Sequence, residues 1–88
     1  MQWKIDFTEK AKEELKRFDK PVRERIRKFI DRLEKMPDPR MTGEPLTGNL
    51  SDFWKYRTGD YRIICRIQDK ELIILIVKLG HRREVYKR

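Results

Sequence analysis

Residues 54–67 read WKYRTGDYRIICRI, and the length of the turn inside this run decides how the chain is built. Side chains alternate between the faces of a strand, so one residue more or less in the loop exchanges whole sets of residues between faces. A two-residue loop at Gly59-Asp60 suits a type II′ turn, with glycine in first position. Thr58 then faces Tyr61, Arg57 faces Arg62, Tyr56 faces Ile63 and Lys55 lies opposite Ile64. One side collects Trp54, Tyr56, Tyr61, Ile63 and Cys65; the other collects Lys55, Arg57, Arg62 and Arg66, with Phe53 and Ile64 among them. A three-residue loop sets Arg57 beside Tyr61 and mixes the two sets. The pattern selects the shorter loop, and it predicts an aromatic side packed under helices and a basic, uncovered side.

The strands on either side extend to about Asp52–Thr58 and Tyr61–Gln68, and a third follows at Glu71–Lys78 after a turn at Asp69-Lys70. ELIILIVK is apolar throughout, as in a central strand covered on both faces. Upstream, Trp3, Ile5 and Phe7 alternate with polar residues and predict a half-buried strand. Thr8 caps a first helix whose stripe is Ala11, Leu15 and Phe18. Asp19-Lys20-Pro21 starts a second helix, with Val22, Ile26, Phe29, Ile30, Leu33 and Met36 at three- and four-residue intervals, and MPDPR ends it. Residues 38–51 are polar and rich in Pro and Gly and read as a surface loop, with Leu46 and Leu50 pinning it. The tail LGHRREVYKR reads as too polar for a core element. The expected fold is α+β, in the order β-α-α-β-β-β: a mostly antiparallel four-stranded sheet with two helices on one face, forming one domain over residues 1–88.

Charge bounds the function. The 88 residues carry 23 Lys and Arg against 15 Asp and Glu, a net charge of +8, which favours an anionic partner such as nucleic acid. Residues 1–51 hold 13 basic and 10 acidic side chains, whereas residues 52–88 hold 10 and 5. In the first half, neighbours such as Lys10 with Glu14 and Glu13 with Arg17 read as a solvated helix surface. The functional excess is therefore expected in the second half. Cys65 is the only cysteine, so no intrachain disulfide forms, and the chain fits a reducing, cytoplasmic setting. No apolar run approaches membrane-spanning length, and MQWKIDF lacks the layout of a signal peptide. No carboxylate cluster suggests a metal, and no cofactor motif is present. Trp3, Phe29, Trp54, Tyr56 and Tyr61 are expected in the core, Cys65 as a buried thiol and Asp60 as a turn residue.

Like charges directly opposite one another on a sheet cost about 0.2–1 kcal/mol. A bound phosphate relieves that repulsion, and forked arginine donors fit its oxygens. GHRREVYKR adds His81, Arg82, Arg83 and Tyr86 just after the apolar strand, bringing charge and proton-transfer groups beside the cationic hairpin.

At this point the sequence resembles the RelE/ParE superfamily of bacterial and archaeal toxins, in its RelE branch. The resemblance runs through DFTEKAKEEL, the helix ending before P-R, PLTGNLSDFWKYRTGDYRIICRI and LGHRREVY. It implies the microbial RNase fold, cleavage of mRNA in the ribosomal A site without metal or cofactor, and neutralisation by a cognate RelB-like antitoxin. The implied chemistry is attack of a ribose 2′-OH on the adjacent phosphate, with Lys, Arg and Tyr supplying base, acid and charge. Positive neighbours lower a lysine's pKa in such a site. Carried over by position, Lys55 is the base, Arg62 and Arg57 are phosphate clamps, and Arg82 is charge stabiliser or acid partner. Tyr86 stacks on a base or shuttles a proton, and Arg66 and Arg83 add phosphate contacts. Relatives carry a second strand lysine where this chain has Phe53, and His81, near the site in many of them, is the group expected to compensate. Two other readings share the fold: a ParE-like inhibitor of DNA gyrase without nuclease activity, and a catalytically weakened member that retains antitoxin binding.

Overall fold

The computed structural model describes residues 3–46 and 53–81, so the parts of the sequence reading that fall on Leu50, Arg82, Arg83 and Tyr86 lie outside the described residues. The elements are β1 (Lys4–Phe7), α1 (Glu9–Arg17), α2 (Lys20–Lys35), a 3-10 turn at Pro39–Met41, β2 (Glu44–Pro45), β3 (Phe53–Thr58), β4 (Tyr61–Gln68) and β5 (Ile73–His81). They form one sheet in the order β1-β5-β4-β3-β2. β1 runs parallel to β5, and every other neighbouring pair is antiparallel.

Each helix begins where its residues dictate. Thr8 is the N-cap of α1, its Oγ1 accepting from the Ala11 N–H at 3.1 Å, with Glu9 in the first turn and Lys16 and Arg17 in the last. Asp19 is the N-cap of α2, and Pro21 sits in its first turn, where a missing N–H costs nothing. The stripes bury as the periodicity requires. Ala11, Ile26, Phe29, Ile30 and Leu33 join Trp3, Tyr56, Ile63, Cys65, Ile74, Ile76 and Leu79 in one core between the helices and a single face of the sheet. Leu15, Phe18, Val22, Met36 and Trp54 pack at its margin.

The hairpin register matches the two-residue reading at every described position: Thr58 pairs with Tyr61, Arg57 with Arg62, Tyr56 with Ile63 and Lys55 with Ile64. Gly59 has φ +61°, and Asp60 is not among the described residues with positive φ, which is the type II′ pattern. An alanine Cβ at Gly59 would sit 2.5 Å from Arg25 Nη1, a flexible end that can move aside, so backbone strain dominates the penalty. Gly59→Ala is expected to cost about 1–3 kcal/mol, read in a thermal melt as a fall of roughly 4–8 °C per kcal/mol.

Three expectations need correction. The sheet has five strands rather than four, because Glu44–Pro45 pairs with Trp54 and Lys55 inside the segment read as loop. Two residues are too few to show an alternation, and the anchors that hold them are long-range. The Trp54 indole N–H donates to Thr42 O at 2.8 Å, and Tyr56 OH donates to Pro39 O at 2.6 Å. Gly43, at φ +80°, lets the backbone pass where any Cβ would strike Trp54 and Tyr56.

The second correction is the last connection, which spans residues 69–72 rather than a tight Asp69-Lys70 turn. Leu72 takes φ +56° there, and its N–H donates to Asp69 O at 3.3 Å. The third is the strand itself, which runs on to His81, with Leu79 2% exposed. The tail's first residues read as too polar for the core, but an irregularity after Ile76 resets the two-residue period and lands Leu79 on the covered face.

Arg40 grips Asp69 with both guanidinium nitrogens, at 2.8 and 3.0 Å, tying the 3-10 turn to the β4–β5 connection. That bond holds the Asp69 carboxyl below its ordinary value and the Arg40 guanidinium above its own. Asp69 therefore contributes stability above the usual carboxylate pKa, and the contribution disappears as pH falls through its lower folded value. Asp69→Asn is expected to flatten the acid limb of melting temperature against pH below about pH 4, with an effect that shrinks in high salt.

Candidate cationic site

Two faces of one hairpin have separate fates. Tyr56, Ile63 and Cys65 point into the core, and Cys65 is fully buried, its Sγ 3.6 Å from Trp54 O. Burial pushes the thiol up to about 12, which leaves it protonated and unreactive. On the opposite face, Ile64 is only 7% exposed yet stands outside the helix-side core cluster. Lys55, Arg57, Arg62 and Arg66 share that opposite face through their registered partners.

This face is not uniformly open. Arg57 and Arg66 are exposed, but Arg62 is 5% exposed and the Lys55 side chain only 14%. An uncovered basic face was expected from the sequence; instead two of its four cations are drawn in. Lys55 Nζ lies 3.6 Å from Glu44 Oε2, the carboxylate that the unforeseen β2 brings alongside. Arg66 lies with its Cζ 5.5 Å from the Phe53 ring centre, in a cross-strand pair. Phe53 thus offers a platform for a guanidinium. Arg57 and Arg62 stand directly opposite each other, the juxtaposition that the shorter loop demanded.

His81 does not join this group. It pairs with Tyr61 across the sheet and meets that ring edge-on at 5.5 Å, while Tyr61 meets Phe18 at 5.3 Å. The parity of β5 puts His81 on the helix-covered face, opposite to the one that carries Arg62. Its proximity to the cations in sequence does not survive alternation.

One cation on the site face was missed. Lys78 of β5 pairs with Ile64, which itself pairs with Lys55, so a row Lys55–Ile64–Lys78 crosses three strands. The apolar run hid it, because Lys78 read as the strand's polar end. A separate open cleft of about 720 Å³ runs along α2 past Arg25, Lys28 and Arg32 to Thr58. Glu24 and Asp31 line it as well, so its charge is mixed.

The comparisons with known proteins fall on this frame. The family model described as the ParE toxin of the type II toxin–antitoxin system parDE matches residues 5–86. The chain belongs to the ParE toxin family of type II toxin–antitoxin systems. Among curated members of the wider superfamily, this ParE-family chain is 29% identical to the mRNA interferase toxin RelE of Escherichia coli K12, over 98% of this chain and 92% of that one. The toxin–antitoxin complex RelBE2 of Mycobacterium tuberculosis superposes with a TM-score of 0.84 at 25% identity, covering 93% of each chain. The archaeal RelE–RelB complex of Pyrococcus horikoshii OT3 follows at a TM-score of 0.72 and 30% identity, covering 93% of this chain and 97% of that one. The α+β class and the two-helix layer agree with those toxins.

Proposed function

We propose that this toxin is an endoribonuclease that cuts messenger RNA in the ribosomal A site and is held inactive by a RelB-like antitoxin. The observation that carries the reading is the Arg57–Arg62 cross-strand pair with Lys55 one row away, on the sheet face turned from the helices. Similarity along nearly the whole chain to a protein named mRNA interferase toxin supports it, as do the solved toxin–antitoxin complexes.

In the proposed reaction the 2′-oxygen attacks the adjacent phosphorus and passes its proton to Lys55. The bond from phosphorus to the 5′-oxygen breaks as that oxygen takes a proton from the acid, for which Arg82 and Tyr86 are the candidates. The products are a cyclic phosphate and a free 5′-OH. Arg62 and Arg57 bind the phosphate oxygens as negative charge grows on them, and Arg66 and Arg83 extend the grip along the strand. His81 is assigned the role of packing against Tyr61 rather than compensating for the lysine replaced by Phe53.

The test is a translation extract programmed with a defined message. Cleavage only when ribosomes are engaged on it is the expected result, and addition of the neighbouring gene's product abolishes it. The family description parDE favours a second reading, a gyrase inhibitor. An intact message together with loss of gyrase supercoiling would establish that one instead.

A further inference from the structure

We propose that Lys78 is a further phosphate ligand of the cationic site, a third-strand cation that engages RNA by leaving its resting contact with Glu14. The inference rests on the reading of this face as an RNA site and adds to it a residue that the sequence did not single out.

The register supplies the placement. Lys55, Ile64 and Lys78 lie side by side on β3, β4 and β5, so strand parity assigns all three positions to the face that holds Arg57 and Arg62, although the Lys78 amine itself rests against Glu14 of α1. Strands are about 4.8 Å apart, which puts the two lysine backbones about 10 Å apart. A lysine arm reaches about 6 Å, so both amines can meet one phosphate above Ile64. Arg62 is in the next row of the same strand pair, opposite Gly80.

The second observation is a β-bulge. The β4–β5 register shifts between Ile64 and Cys65, so that Cys65 pairs with Ile76 while Ile64 pairs with Lys78, and Val77 is the extra residue. Bulges bend a strand and re-aim a side chain, and they recur beside active sites. Without the extra residue, Leu79 and Lys78 would exchange faces, and a lysine would be driven into the core. The bulge sets Lys78 on the cationic face while Leu79 stays buried.

The third observation concerns what Lys78 touches at rest. Its Nζ is 3.8 Å from Glu14 Oε2, a long contact on a side chain 37% exposed, and such pairs hold weakly. Glu14, 19% exposed, is otherwise provided for: its Oε1 accepts from the Leu79 N–H at 2.7 Å. When Lys78 swings to a phosphate, the carboxylate keeps that bond and is not left without a donor. A cation tethered this loosely, with a counter-ion that tolerates its departure, is arranged to trade one anion for another.

The experiment uses the full 88-residue chain with Lys78→Ala, Lys78→Arg and Glu14→Gln. It measures cleavage of a ribosome-bound message, binding of a short non-cleavable oligoribonucleotide against salt, and the thermal melt. Lys78→Ala is expected to cleave about 10- to 100-fold more slowly at an unchanged melting temperature, and Lys78→Arg to recover most of the rate. The slope of log affinity against log salt should fall by about 0.7, one phosphate contact on a single strand. Glu14→Gln keeps an acceptor for Leu79 and should cleave at least as well as the parent. If Lys78→Ala matches the parent in cleavage and in salt slope, the proposal is overturned. Loss of cleavage in Glu14→Gln equal to that in Lys78→Ala would also overturn it, by showing the pair to be structural. A parent protein that binds RNA without cutting it, with the slope still lower in Lys78→Ala, would uphold Lys78 as a ligand and remove the nuclease reading alone.

Discussion

Arg62→Ala is expected to slow mRNA cleavage by about two to three orders of magnitude, the scale for removing one donor to transition-state charge. Arg62 is the most enclosed cation of the site face, at 5% exposure, and Arg57 stands directly across from it. Burial raises the worth of a charge toward a developing oxyanion, since less water intervenes. It also means that truncation removes a large side chain from an enclosed setting, which costs about 0.5–3 kcal/mol of stability. The two effects separate in the assay. A melting point lowered by several degrees, with a protein still folded at 25 °C and inactive, is the expected pattern. Arg62→Lys keeps the charge but not the fork, and should recover part of the rate. An Arg62→Ala protein that cleaves like the parent would remove Arg62 from the phosphate site.

How far the sequence carried this picture depends on the range of the interactions involved. The hairpin was legible because both constraints on it are local: the φ freedom of Gly59 and the alternation of the residues flanking it. The same holds for α1 and α2, whose caps and stripes lie within a few residues of one another. What stayed hidden was set by partners distant in the chain. β2 exists because Trp54 and Tyr56 hold residues 39–45 from more than ten positions away. Glu14 looked like a helix-surface partner for Lys10, but it caps the β5 edge 65 residues downstream.

The site was legible in composition and only partly in geometry. Lys55, Arg57, Arg62 and Arg66 share a face as parity requires. Their unequal burial was not readable, because parity says which way a side chain points and nothing about what lies over it. His81 and Lys78 show opposite consequences of strand parity. His81 was grouped with the cations by its nearness to them in sequence, although it falls on the covered side. Lys78 was passed over because a bulge, which no periodicity announces, resets the parity just before it.

The core offers the largest stability effect, at Tyr56. Its ring is 1% exposed and meets Phe29 at 5.5 Å, while its hydroxyl reaches Pro39 O at 2.6 Å. Tyr56→Ala empties a space that neither α2 nor the 3-10 turn can fill, at a cost of about 3–5 kcal/mol. Against the roughly 5–15 kcal/mol that hold a small domain together, such a loss leaves the fold marginal, with a melting temperature lower by at least about 12 °C. Tyr56→Phe isolates the hydroxyl. It keeps the ring but strands the Pro39 carbonyl, for about 1–3 kcal/mol. The two variants also differ from the parent in alkali. Burial holds the Tyr56 phenol well above its ordinary value of 10.0, so the folded chain keeps a proton that the unfolded chain releases. Stability therefore falls as pH climbs past about 10, and Tyr56→Phe should flatten that limb. If Tyr56→Phe melted with the parent at neutral pH and showed the same alkaline slope, the hydroxyl would not be what fixes the 3-10 turn, and the anchoring of β2 would rest on Trp54 alone.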